Sequence, residues 1–131
     1  MRARIVLAAV VAAAALVTLR RLGPFRVEVA GPSMAPALNP GDWLVATRRG
    51  PIRRGSVVVL ADPRGGRDLV KRVAAVPGDV VEGRPLASGE FLVLGDNLTA
   101  STDGRTFGPV NREAIEGVVR LRYWPEPAVV R

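Results

Sequence analysis

Hydrophobic and polar positions divide the chain into two unlike parts. Ile5 to Leu19 reads IVLAAVVAAAALVTL, with Thr18 as its only polar residue. Arg2 and Arg4 precede it, and Arg20 and Arg21 follow. An apolar surface all round suits lipid better than one face of a core. As a helix, 15 residues reach about 22 Å, against a bilayer core of about 30 Å. Flanking Arg side chains extend that reach by snorkelling, and Leu22 adds a little apolar length. The same pattern fits a cleaved export signal, whose small-residue site would fall within Ala12–Ala15, or a buried helix. We expect an uncleaved membrane anchor over residues 1–22, spanning once, with lipid as its partner. The Arg counts at its two ends nearly balance, so charge does not fix its orientation. Gly23-Pro24 ends the helix.

From Phe25 the pattern changes to short apolar runs cut by Gly and Pro. The predicted strands are Phe25–Val29, Trp43–Ala46, Ser56–Leu60, Leu69–Val76, Phe91–Leu94 and Val118–Trp124. Asn111 to Glu116 reads as a helical turn, capped by Asn111 and stopped by Gly117. Many short strands at this spacing predict one mostly β domain over 25–131, a barrel or folded sheet with a modest core.

Composition removes whole classes of chemistry. The chain has no Cys and no His. Disulfides, thiol nucleophiles, thiolate or imidazole metal sites and a Ser-His-Asp triad are therefore absent. No metal and no cofactor is expected. Asp96 and Asp103 do not have the spacing of an EF-hand loop. Of the 19 Lys and Arg, 18 are Arg, and Lys71 is the single Lys. Arg stays protonated, so Lys71 is the one side-chain amine able to act as a base. The net charge of +7 suits an anionic surface, but only 5% of residues are aromatic and none interleaves with a basic run. That argues against nucleic acid.

Three segments can carry chemistry. In Gly31-Pro32-Ser33-Met34-Ala35-Pro36 a Ser sits on a rigid turn. A period of two puts Lys71 on one strand face with Leu69 and Val73, where apolar neighbours favour the neutral amine. Gly95 to Arg105 is a long polar loop after a buried strand, holding Ser101 and Asp103. Each segment also has a plain reading: a turn serine, an edge-strand lysine, a solvated Asx turn.

Together they resemble signal peptidase I, the membrane-bound Ser/Lys protease family. Gly31–Leu38 is similar to its nucleophile box and Gly41-Asp42-Trp43-Leu44-Val45 to the strand box that follows. Lys71-Arg72-Val73 with Pro77-Gly78-Asp79 is similar to the lysine box. Gly95-Asp96-Asn97 with Ser101, Asp103 and Arg105 is similar to the last box. These four cover most of Val27–Val110 in order. The resemblance implies the folded β-sheet barrel shared with self-cleaving repressors, although Ile5–Leu19 is not the DNA-binding domain those need. It implies Ser33 as nucleophile and Lys71 as general base. Ser101 would orient Lys71, and Asp103 with Arg105 would brace the loop. Asp96 and Asn97 would shape the turn. The Ser33 N–H would face the oxyanion. Gly31 stands where some members carry a second hydroxyl donor, and Gly104 where Ser is frequent.

Larger members carry an extra β domain between the Lys71 and Gly95 boxes, which this chain lacks. The implied reaction is endoproteolysis of exported precursors after small side chains, by a monomer whose catalytic domain lies outside the cytoplasm at the cell membrane. Substrate-binding residues are not assigned. Arg122-Tyr123-Trp124-Pro125 resembles the ending of small members that mature nickel-type superoxide dismutase precursors, so a protease with one client is an alternative. A membrane-tethered β-barrel binding module without catalysis is another.

Overall fold

The computed structural model describes all 131 residues. Helix α1 runs from Arg2 to Leu22, 21 residues with none buried. It is apolar enough to cross a bilayer (mean hydropathy 2.1 over its best window) and, at about 1.5 Å per residue, reaches about 31 Å. The reach exceeds the expectation because the flanking Arg residues join the helix. Gly23 closes it in the left-handed conformation at φ 61°, and its N–H donates to the Arg20 carbonyl.

The remainder is mostly β. The strands are β1 (Pro24–Glu28), β2 (Trp43–Thr47), β3 (Val57–Leu60), β4 (Leu69–Ala75), β5 (Val80–Val81), β6 (Arg84–Pro85), β7 (Glu90–Leu94), β8 (Val110–Asn111), β9 (Ile115–Trp124) and β10 (Ala128–Val129). A four-residue helix, α2, spans Gly104–Phe107. The main sheet runs β1-β2-β9-β3-β4-β7-β8, with β10 also on β9, and β5-β6 form a separate ribbon. All pairings are antiparallel. β1 and β8 end the order without pairing each other, so the barrel is folded but open. Register shifts in β2–β9, β3–β9 and β4–β7 supply its bends.

The bending explains why β3 is apolar at four successive positions. Val57 and Val59 enter one cluster with Val29, Met34, Leu38 and Leu44. Val58 and Leu60 enter a second with Val73, Phe91, Val93 and Val110. A strand covered on both faces needs no polar alternation. β9 does the same with Val119 and Val118.

Two expectations need correction. β4 ends at Ala75, because the Val76 N–H turns to the Asp79 carboxylate at 2.9 Å. The helical turn at Asn111–Glu116 shrinks to a 3-10 turn over Arg112–Ala114, and the Asn111 side chain does not cap it. Ile115 already belongs to β9, drawn in by burial of Ile115, Val118 and Val119. Gly117 is therefore no helix stop. It lies within β9, where a Cβ would come 2.6 Å from the Phe25 ring and 2.7 Å from the Thr47 carbonyl.

Candidate active site

Lys71 owes its setting to the alternation of β4. Lys71, Val73 and Ala75 point inward, and Lys71 is only 3% exposed. Burial is the main influence on its amine and pushes the pKa down. Asp103 opposes that, Arg64 adds to it, and Asp62 and Arg105 contribute in opposite senses.

A directed chain of hydrogen bonds leads away from the amine. Lys71 Nζ donates to Ser101 Oγ at 3.1 Å, and Ser101 Oγ donates to Asp103 Oδ2 at 2.7 Å. Asp103 is fully buried and also accepts from the Gly95 N–H at 2.9 Å. Its other oxygen takes the Arg105 N–H and Nε at 3.1 and 3.0 Å. Arg105 is held in turn by the Leu98 carbonyl at 2.8 Å. Burial alone would raise the Asp103 pKa, but bonds from Arg105, Gly95 and Ser101 outweigh it and hold the carboxyl well below the usual range. The ionised carboxylate can only accept, so Ser101 commits its proton to Asp103. Ser101 then offers lone pairs alone to Lys71. A neutral amine donates one N–H there and keeps its own lone pair for another group.

Ser33 sits in a 3-10 turn, Pro32–Met34, after β1. Pro32 starts the turn, and fully buried Met34 pins it to the core. The Asn97 N–H donates to the Ser33 carbonyl at 2.8 Å, and Asn97 Nδ2 donates to the Pro32 carbonyl at 3.2 Å. Ser33 and Lys71 line one cleft of about 270 Å³, with Ala30, Leu69 and Val70 among its apolar walls. Ser33 Oγ forms no hydrogen bond in this arrangement.

Ser33, Lys71, Ser101, Asp103 and Arg105 thus gather at one place from the turn after β1, from β4, and from the loop that leads into α2 together with α2 itself. Three contributors escaped sequence reasoning. Asn97, read as a turn former, clamps the Ser33 turn. Gly95 is required by crowding: a Cβ there would lie 2.5 Å from the Ser101 Cβ and 2.6 Å from the Ser33 carbonyl. Arg64 lines the cleft and is locked in a bidentate pair with Asp62, at 2.6 Å for its shortest contact. Gly95 belongs to the last resembled box, but the crowding that requires a glycine there was not readable from it. The Asn97 clamp joins segments distant in sequence, and the position of Arg64 on the cleft depends on the fold rather than on its neighbour Asp62.

Two positions where the chain departs from the resembled pattern also acquire geometry. Gly31 has an extended backbone (φ −125°), and a Cβ there meets nothing within 4 Å. Gly104 is buried, and a Cβ would strike the Leu92 side chain at 2.6 Å and the Val93 carbonyl at 2.7 Å. Serine does not fit at 104 in this chain.

A curled antiparallel sheet with a buried lysine facing a serine-bearing cleft defines the class of protein to which known chains can be compared. The family described as signal peptidase, peptidase S26, matches residues 2–86 and 81–124. The mitochondrial ATP-independent inner membrane protease subunit 1a of Arabidopsis thaliana is 41% identical, over 75% of this chain and 69% of that one. The mitochondrial inner membrane protease subunit 1 of Schizosaccharomyces pombe is 36% identical, over 79% and 76%. Signal peptidase IB of Staphylococcus aureus is 29% identical, over 86% of each. A crystal structure of a signal peptidase I from Enterococcus faecalis has a TM-score of 0.46 and 22% identity, over 55% of this chain and 98% of that one. The chain belongs to the S26 signal peptidase family and is a membrane-associated serine protease of the signal peptidase type.

Proposed function

We propose that Ser33 and Lys71 form the catalytic dyad of this protease. The observation that carries the reading is the buried Lys71 amine, oriented by Ser101 and Asp103 at the wall of the cleft that holds Ser33. In the forward step the Ser33 Oγ proton passes to Lys71 Nζ as Oγ attacks the scissile carbonyl carbon. The tetrahedral intermediate collapses by breaking the C–N bond, and the departing amine takes the proton from Lys71. Water then loses a proton to Lys71, attacks the ester, and releases Ser33 with its hydrogen restored. The Ser33 N–H faces the oxyanion during both steps.

The substrate is an extended stretch of a precursor protein. β1 has a free edge because β2 is its only partner. On β4, pairing with β7 begins only at Arg72, which leaves the backbone of Leu69–Lys71 open on that side. Glu28–Ala30 and Asp68–Val70 flank the cleft, so a strand can lie between them. The shallow apolar walls suit small side chains before the cleaved bond. Residues 1–22 anchor the chain by a single span, and residues 25–131 are a monomeric peptidase domain on the extracytoplasmic side. That orientation follows the family resemblance.

Ser33→Ala and Lys71→Ala should each lower kcat/KM for precursor cleavage by at least about 10³-fold with the fold retained. Circular dichroism and N-terminal mapping of products from a mixed set of exported precursors provide the test. Full activity in either variant would overturn the dyad. New N-termini on one precursor alone would identify a dedicated maturation protease.

A further inference from the structure

A second cluster lies at the opposite end of β1 from Ser33. Helix α1 brings Arg20 and Arg21 in its last turn. The chain after β2 brings Arg48 and Arg49 to the same place. Two backbone bonds seat them there: the Arg48 N–H donates to the Gly23 carbonyl at 3.1 Å, and the Arg49 N–H to the Leu22 carbonyl at 3.2 Å. Val17, Gly23 and these four Arg line a groove of about 420 Å³. All four are exposed, and none joins an ion pair, although six other Arg in the protein do. No Asp or Glu occurs before Glu28 or between Asp42 and Asp62, so both contributing segments lack carboxylates.

The site is built as well as charged. The Arg48 guanidinium lies 4.5 Å from the centre of the Phe25 ring. Arg120 Nε donates to Thr47 Oγ1 at 2.9 Å, and Thr47 Oγ1 donates to the Arg49 carbonyl at 3.0 Å, which stiffens the turn. The helix dipole accounts for cations at Arg20 and Arg21, but not for the second pair brought in by the sheet. Four guanidiniums held together repel one another until an anion joins them. Val17 adds an apolar wall continuous with the lipid-facing surface of α1. The ligand that matches has a phosphate among the Arg side chains and acyl chains along the helix.

We propose that this groove binds the phosphodiester headgroup of an anionic phospholipid and thereby fixes the tilt of the peptidase domain on the membrane. The proposal rests on α1 lying in a bilayer, as read above. The test uses the full chain reconstituted in vesicles of equal phosphatidylglycerol and phosphatidylcholine. Flotation with the vesicles first establishes insertion; a chain that stays in the aqueous fraction overturns the anchor and this proposal together. Native mass spectrometry of the gently extracted protein then reads which lipid is retained. Wild type should retain phosphatidylglycerol preferentially. Arg48→Gln with Arg49→Gln should lower that preference roughly 30-fold, about five-fold for each Arg, while cleavage of a water-soluble peptide continues. Arg48→Lys with Arg49→Lys should restore most of it. If the double Gln variant does not fold, Arg49→Gln alone should lose about five-fold. Equal retention of both lipids by wild type, or an unchanged preference in the folded Gln variants, overturns the headgroup site and leaves the anchor standing. Excess glycerol phosphate should not displace the lipid; full displacement would make this a site for free phosphate and overturn the proposal.

Discussion

At the scale of single residues, the proposed base Lys71 should govern the pH behaviour. Burial lowers its pKa in the folded protein below that of a free lysine. The base form is therefore reached at lower pH than an ordinary amine allows, and kcat/KM should rise with pH to a plateau whose midpoint lies below about 10.4. A profile controlled by a group titrating near 4 would transfer the role to a carboxylate. The same shift has a sign for stability. Between the folded and unfolded pKa of Lys71, the unfolded chain binds more protons, so stability rises with pH across that window. Below the folded pKa the full cost of charging a buried amine remains. Lys71→Met should abolish cleavage and raise the melting temperature at neutral pH, and the loss of the pH-dependent rise would mark Lys71 as its source.

Glycines give the site its sharpest steric limits. Gly95→Ala must push apart the Ser101 side chain and the Ser33 carbonyl, which approach from different loops. It should destabilise by roughly 1–3 kcal/mol, as overpacking does, and cut kcat at least about 10²-fold. Denaturant titration and single-turnover kinetics separate the two effects. Gly31 is the opposite case, with extended backbone and open space for a side chain. If the oxyanion lacks a second donor, Gly31→Ser supplies a hydroxyl without displacing anything. It should raise kcat about ten-fold or more with KM little changed, since a single donor elsewhere is worth about 10²–10³ in kcat. An unchanged kcat would mean that the oxyanion already has its donors.

At the scale of elements, the site depends on the loop between β7 and α2. Asp103 caps α2, bonds the Gly95 N–H and Ser101, and pairs with Arg105, so one buried carboxylate sets the shape of the loop. Its folded pKa is depressed, which contributes stability that is present above about 3.9 and lost as pH falls through the folded value. Asp103→Ala should cost roughly 2–3 kcal/mol, mostly from the stranded Gly95 N–H and Ser101. Ser101→Ala should spare the fold and lower kcat/KM about 10²-fold, with a displaced pH midpoint because Lys71 loses its oriented partner. Much of this element structure was legible in the chain. Val57–Leu60 and Leu69–Ala75 announce themselves as strands because burial dictates their apolar pattern. Period two grouped Lys71 with Leu69 and Val73 on one face, and the structure turns Lys71 and Val73 inward. The two-residue strands β5, β6, β8 and β10 carry too few positions to show any period. The crowding at Gly95 and the Asn97 clamp depend on Ser33 arriving from more than 60 residues away, which no local pattern records. At Asn111–Glu116 a 3-10 turn forms without a side-chain cap from Asn111, and burial of Ile115 and Val118 draws the rest of the segment into the sheet.

At the scale of the whole molecule, α1 and the β domain form nearly independent units. No residue of α1 is buried, and the domain's two apolar clusters draw only on residues from Phe25 onward. The join consists of backbone contacts from Arg48 and Arg49 to Gly23 and Leu22. Of the bonds that join the β domain to α1, a chain starting at Gly23 loses the one from Arg49 to Leu22, worth about 1 kcal/mol, together with the Gly23 cap of the helix it no longer has. It should therefore fold, keep its melting temperature within about 8 °C, and cleave a water-soluble peptide with near-native kcat. Cleavage of precursors embedded in vesicles should fall further. An α1 anchored as proposed would confine enzyme and substrate to one surface and raise their effective concentration, a factor of about 10²–10⁴ in comparable tethered systems. Comparing the two substrates with full-length and shortened chains isolates that factor, because any defect in folding or chemistry would appear with both. Equal losses on the soluble and the embedded substrate would show that α1 supports the catalytic fold itself, although none of its residues is buried.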